Sequence, residues 1–367
     1  MMADTDLKNR LLEQGGPAVH LRIHAAQPGH IHKDCCEKAV SKLLEMEEVS
    51  ALLSLLNGCS TNVPDKKTLE HFIHSYRESC IDQFFPRLMD LGFRAGMPAF
   101  DEKMQPLREL FNYLLTKNED YCYYYRIMLH RFFFMAGYKY PEVITSMQQR
   151  LDALYKSANE RIFEIYRDES ILPKKPKQWM QIGVVKEALD PFSQSAHKPL
   201  PTIYDIAALA YFPDNKPENR AKIDTIIAYI LAPEFQKIRE GYGLLWDKEK
   251  RVYRACGWSP TLPLCEEAEV SSHFGHVFDV LCILSKFEAA QKSRWVEHCA
   301  DYLKRYRTSS GTYLFPRAYL GRKYSANAFL SMANLTRKRA EKECMLREVV
   351  STLVMVDIGK GIPELIG

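Results

Sequence analysis

Acid–base chemistry needs a well-placed carboxylate, and two positions in this sequence offer one. Asp205 sits inside the apolar run Ile203-Tyr204-Asp205-Ile206-Ala207-Ala208-Leu209, and Asp247 follows Leu244-Leu245-Trp246. A carboxylate among apolar neighbours has a raised pKa and can serve as a general acid. Pairing with a cation is one plainer use of Asp205, and its place three residues after Thr202, the spacing of a helix N-terminal cap, is the other. Asp247 belongs to a Gly- and Pro-rich stretch, Gly241 to Pro263, that also carries Tyr253, Arg254 and Trp258. Aromatic faces there could hold a cationic or apolar ligand, or could anchor the loop to the core. The sequence therefore nominates Asp205 and Asp247 as candidate catalytic residues. Tyr204, Trp246, Tyr253, Arg254, Trp258 and His273 are the candidate ligand contacts.

Nitrogen and sulfur donors gather twice. His20, His24, His30 and His32 precede Cys35 and Cys36, and Cys256 and Cys265 precede His273 and His276. Imidazole and thiolate bind zinc, but closed zinc sites favour paired Cys-x-x-Cys spacing, and the ten cysteines never form it. His273 and His276 can share a helix face, with Asp279 three residues on to orient an imidazole. No metal and no cofactor is assigned from these patterns. Gly-x-Gly-x-x-Gly, Walker, His-Glu-x-x-His and Gly-x-Ser-x-Gly motifs are absent, which argues against nucleotide-dependent and α/β-hydrolase chemistry.

These residues sit in a chain of 367, with 50 Lys plus Arg against 46 Asp plus Glu and a formal net charge of +4. That balance gives no basic field for nucleic acid, and the densest basic stretch, Thr336-Arg337-Lys338-Arg339, is followed closely by Glu341 and Glu343. No apolar run reaches the length of a membrane span. Acids stand where a secretory leader would be basic, so a cytoplasmic protein with mostly reduced cysteines is expected.

The elements that must position the candidates read as helices. Apolar residues recur at three- and four-residue steps after turns containing Gly or Pro. The turn Asn62 to Asp65 opens one such helix, and Gly96 to Asp101 opens that of Met104, Leu107, Leu110, Phe111 and Leu114. Gly137 to Glu142 opens that of Val143, Met147, Leu151 and Leu154, and Pro213 to Glu218 that of Ile223, Ile226, Ile227 and Ile230. Between them lie helices apolar nearly all round, Tyr121 to Met135, Ile203 to Ala210 and Phe274 to Leu284, which predicts burial on most sides. Successive openings stand about 40 residues apart, the period of stacked helical hairpins. Residues 1–34 read as an irregular N-terminal arm, with helix starting behind Asp34 as its cap. Residues 35–367 read as a single large all-α domain, a toroid or solenoid of hairpins. Leu172 to Leu200 reads as a long connection, and Leu244-Leu245-Trp246-Asp247 as one arm of a hairpin returning through Val252-Tyr253-Arg254.

The Gly96-Met97-Pro98 and Pro213-to-Glu218 openings, with Gly257-Trp258-Ser259-Pro260 in the aromatic late loop, carry a resemblance to the α/α-toroid proteins of the prenyltransferase and terpene-cyclase-like group. It extends as a helical pattern over roughly residues 40 to 360. The resemblance implies a closed helical ring around an aromatic-lined cavity for an apolar ligand. The chain departs from that group in lacking both Asp-x-Asp-Asp and Asp-Asp-x-x-Asp. Its Asp-x-Cys triplets, Asp34-Cys35-Cys36 and Asp120-Tyr121-Cys122, come without an identifiable zinc-completing His, so no catalytic residue is carried over. Two functions follow as expectations. One is a toroid that binds or transforms an apolar small molecule, and the other is a non-catalytic helical-repeat protein that binds a protein partner.

Overall fold

The computed structural model describes residues 7–9, 11–13, 15–25, 31–58, 66–75, 77–214, 216–263, 277–316 and 343–359. It is 61% helix with one two-stranded sheet. The helices are α1 Pro17–Ala25, α2 Ile31–Leu44, α3 Glu47–Ser54, α4 Lys66–Ile73, α5 Ile81–Asp90, α6 Pro98–Leu115, α7 Asp120–Met135, α8 Pro141–Asn159, α9 Ile203–Leu209, α10 Pro217–Leu231 and α11 Pro233–Gln236. They continue as α12 at 277–284, α13 Glu288–Gln291, α14 Arg294–Lys304 and α15 Glu343–Gly359. No helix among the described residues is long and apolar enough to cross a membrane.

Proline in the first turn marks where helices begin, because its missing N–H has no partner there in any case. Pro141, Pro217 and Pro233 each open a helix this way. At the head of α6, Gly96 donates its backbone N–H to the Asp101 carboxylate at 3.1 Å, and the apolar stripe Phe100, Met104, Leu107, Leu110, Phe111 and Leu114 is buried. α8 buries Val143, Met147, Leu151 and Leu154, and α10 buries Ile223, Ile226, Ile227 and Ile230. α7 is buried on most sides, as its composition predicts.

The N-terminal stretch corrects the sequence expectation. Gly15, Gly16 and Pro17 do not prevent structure, because Pro17 is the first residue of α1 and the glycines precede it. α2 begins at Ile31, so Asp34 lies inside its first turn instead of capping it. Cys35, Cys36, Cys80, Cys122, Cys256 and Cys282 are free thiols, while Cys299 is disulfide-bonded. The turn 62–65 and residues 336–339 lie outside the described residues.

Two compact units can be described separately within the chain. One comprises residues up to 110 with 135–138 and 263 onward, the other residues 111–134 and 139–262. In the first, α1 packs on α2, α2 on α3, and both α3 and α4 on α5. Phe100 is its aromatic centre, with Phe93 at 5.8 Å, Tyr138 at 6.1 Å and Phe85 at 6.2 Å between ring centroids. In the second, α8 packs along α10, and Tyr229, Phe235 and Tyr242 form a chain of edge-on rings.

The second unit also holds the sheet. β1 Leu244–Asp247 and β2 Val252–Ala255 pair antiparallel, as the hairpin pattern predicts, with Leu244 opposite Ala255 and Asp247 opposite Val252. The long connection is not loose coil: Tyr166 bridges to Val185 and Val184 to Leu244, extending the sheet layer. Close backbone approach at this junction demands glycine. Gly243 has φ +125°, and a Cβ there would stand 2.4 Å from the Gly183 carbonyl oxygen, whereas at Gly257, with φ +76°, a Cβ would meet open space. Gly243→Ala is therefore expected to cost at least about 1–3 kcal/mol from backbone strain, with the collision adding to it. Gly257→Ala should cost less, about 1 kcal/mol. Urea unfolding of the two variants checks the order, and equal losses would contradict the close approach.

Candidate functional site

Three of the nominated residues, Tyr204, Asp205 and Trp258, meet at the start of α9. Thr202 caps this helix: its side chain accepts from the Asp205 backbone N–H, and the Asp205 carboxylate accepts from the Thr202 N–H at 2.8 Å, closing a capping box. The sequence suggested that cap. A paired cation was the other structural expectation for a carboxylate there, but the sequence did not say which cation. Arg150, in the middle of α8, donates Nε to Asp205 Oδ1 at 2.9 Å and Nη2 to Oδ2 at 2.8 Å, a two-pronged fork. Both side chains are out of water, at 1% and 0% exposure. Arg150 also donates to the Leu200 carbonyl, and its Nη1 reaches the Tyr123 hydroxyl at 3.5 Å. Burial works against the Arg150 charge, and the Asp205 carboxylate more than restores it, so the guanidinium holds its proton more tightly than usual.

One turn along α8 from Arg150, Ser146 meets His130 of α7, with Nε2 and Oγ 3.0 Å apart. The His130 ring stacks on Phe134 and leans on Phe111, and its Nδ1 is buried without a hydrogen-bond partner. Burial pushes its pKa down to about 3, Asp205 opposing this and Arg126 and Arg150 adding to it. Position 130 is therefore a neutral imidazole. Arg126, one turn before it, is 6% exposed with its guanidinium over the Tyr123 ring. Tyr123, Arg126 and His130 of α7 thus line a polar strip with Ser146 and Arg150 of α8. Aromatic density hid the α7 half in the sequence, and four-residue spacing of polar residues on a helix gives no distinctive signal.

The remaining candidates are placed as follows. Tyr204 is buried and meets Trp258 at 5.6 Å between centroids, with the Arg131 guanidinium 5.0 Å above the Tyr204 ring. Trp258 has φ +66°, and its carbonyl accepts from Ile203 N–H at 2.9 Å, tying the late loop to the first residue of α9. Tyr242, fully buried, donates its hydroxyl to the Pro201 carbonyl. Trp246 and Tyr253 face each other across the strands at 4.7 Å, and the Tyr253 hydroxyl donates to the Pro173 carbonyl. Asp247 closes the hairpin turn, accepting from Lys250 N–H at 2.9 Å with the Lys250 ammonium at 3.4 Å. The Lys250 backbone bond and side chain hold its pKa below the usual carboxylate range. Arg254 pairs at 2.7 Å with Asp190, whose pKa burial raises against the pull of Arg254. His273, with His276 and Cys265, lies outside the described residues. Asp205 and Tyr204 thus share one locus with Trp258, while Trp246, Asp247, Tyr253 and Arg254 belong to the hairpin.

The first unit has a charged group of its own. Arg22 pairs with Asp357, and half-buried Asp90 is pushed up to about 7 by desolvation, with Arg22 and Arg94 opposing and Asp357 and Asp279 adding like charge. Among the described residues no three His, Cys, Asp or Glu side chains are grouped to hold a metal ion. In comparison with known proteins, no family model, no curated protein and no solved structure matches the chain.

His130 makes the site's pH behaviour testable. Its folded pKa lies below the unfolded value of about 6.5, so the unfolded chain binds the extra proton. The stability this residue contributes is present above about pH 6.5 and lost as pH falls toward the folded value. Relative to His130→Phe, the wild type should lose about 1.4 kcal/mol per pH unit below about pH 6. Urea titrations at pH 7, 6 and 5 measure the difference, and parallel profiles would contradict a neutral buried imidazole.

Proposed function

We propose that this chain is a non-catalytic helical protein, its helical pairs stacked as a toroid or solenoid, that binds a protein partner through the hairpin layer of its second unit. The observation that carries this is where exposed apolar surface lies. The large apolar side chains left exposed among the described residues are Tyr166, Ile171, Met180, Val252 and Trp258. All belong to the hairpin, to the connection that extends its sheet, or to the loop that follows β2. Scattered exposed apolar residues need no explanation, but their confinement to one layer marks an interaction surface. The carboxylates nominated for chemistry are meanwhile engaged within the chain, Asp205 by Arg150 and Asp247 by Lys250.

Lys174, Lys177, Lys248, Lys250 and Arg251 are exposed around the same layer, with Glu164, Asp168, Glu187 and Glu249 as exposed acids among them. A partner segment bearing apolar side chains and charges of both signs fits that surface, its charges steering the encounter and its apolar groups supplying affinity. The second reading, an apolar small molecule held within the toroid, is favoured by the Tyr204–Trp258 pair, in which Trp258 remains 38% exposed.

The double substitution Ile171→Asp with Val252→Asp separates the two. Both side chains are exposed, so the melting temperature should stay within about 2 °C of wild type. Cross-linking mass spectrometry in cells should lose the partner peptides that map to this layer, and wild-type binding should weaken as salt rises. A cross-link map unchanged by the double substitution would contradict the proposal. An apolar molecule retained in native mass spectra of both proteins would favour the small-molecule reading.

A further inference from the structure

The Arg150–Asp205 fork provides a template for what Arg126 lacks. A guanidinium side-on edge presents Nε and one terminal nitrogen together, and Arg150 uses that edge, Nε and Nη2, to hold both Asp205 oxygens. Arg126 is also buried, at 6% exposure, yet its Nη2 donates only to the neutral side-chain amide oxygen of Gln194 at 3.2 Å, and its Nε is buried with no partner. Asp205 neutralises Arg150, nearby Asp190 is taken by Arg254, and His130 is neutral, so Arg126 is left without a carboxylate partner among the described residues.

Gln194 is the group a ligand would replace. It is exposed and lies on the loop Asp190 to Leu200, which meets α7 through the edge-on Phe192 and Tyr124 rings at 4.6 Å and, next to Gln194 itself, through long contacts to Asp120 Oδ1 from Ser193 Oγ at 3.3 Å and Gln194 N–H at 3.4 Å. An amide oxygen at one prong of the fork leaves the other prong open, whereas a carboxylate fills both.

We infer that Arg126 is the anchor of a binding site for a small monocarboxylate, which enters beneath the Asp190–Leu200 loop and displaces the Gln194 amide from the side-on edge of the guanidinium. Charge favours a carboxylate over a phosphate dianion, since one guanidinium lacks a carboxylate partner. One turn on, His130 Nδ1 is a second unsatisfied nitrogen on the same helix. The site does not depend on what binds the hairpin layer.

The test uses the full chain with sodium acetate and sodium benzoate as probes, against sodium phosphate and sodium chloride at matched ionic strength. Calorimetric titration and thermal melting are the readouts. Saturating acetate or benzoate should raise the wild-type melting temperature by about 2–4 °C beyond chloride. Arg126→Met should abolish that shift. Gln194→Glu supplies the missing carboxylate from the loop, so it should melt above wild type and no longer respond to acetate or benzoate. If Arg126→Met does not fold, Gln194→Glu carries the test alone. The inference is overturned if neither carboxylate shifts the wild type beyond chloride, if phosphate alone does so, or if Gln194→Glu keeps the wild-type response.

Discussion

The second unit depends on one ion pair that water does not reach. Moving a guanidinium and a carboxylate into the interior costs several kcal/mol each, and only near-ideal geometry with every remaining hydrogen-bonding group engaged offsets it. Arg150 and Asp205 meet that condition through a two-pronged fork, with the Thr202 N–H on one oxygen and the Leu200 carbonyl and Tyr123 hydroxyl on the guanidinium. The pair fixes the start of α9 against the middle of α8. The neighbouring backbone then becomes an anchor: the Pro201 carbonyl takes the Tyr242 hydroxyl, and the Ile203 N–H bonds the Trp258 carbonyl. The late aromatic loop and the sheet layer are thereby referenced to the same point as the helical pair.

That constraint bears directly on function. A carboxylate held by a fork and a capping box has its lone pairs committed, so Asp205 serves the architecture, and Asp247 serves its turn. What the unit leaves uncommitted is of two other kinds. One is the set of exposed apolar side chains in the hairpin layer. The other is the Arg126 edge, where the chain repeats half of the Arg150 arrangement and supplies no anion.

Much of the helical plan was legible in the sequence because burial imposes a period. The stripes of α6, α8 and α10 are the predicted residues, and the two arms of the hairpin, though not their register, could be read from Leu244-Leu245-Trp246-Asp247 and Val252-Tyr253-Arg254. The N-terminal arm was misjudged because Gly15, Gly16 and Pro17 break a helix in its interior but suit the residues before and at its start. The site was half legible. Asp205 and its cap follow from local spacing, but Arg150 lies 55 residues earlier in the chain, and a lone arginine in an amphipathic helix normally means a solvated face. His130 and Arg126 were hidden in the same way within an aromatic helix. Pairings set by tertiary packing leave no mark in a single sequence.

The most direct test of the account is a double-mutant cycle on Arg150→Met and Asp205→Ala, read by urea unfolding at pH 7. Each single variant strands a buried group, so each should destabilise strongly, by about 3–5 kcal/mol. The double variant strands neither and should recover much of the loss, giving a coupling energy of about 2 kcal/mol or more. Losses that add to within about 0.5 kcal/mol would contradict a buried pair at the start of α9 and the architecture built on it.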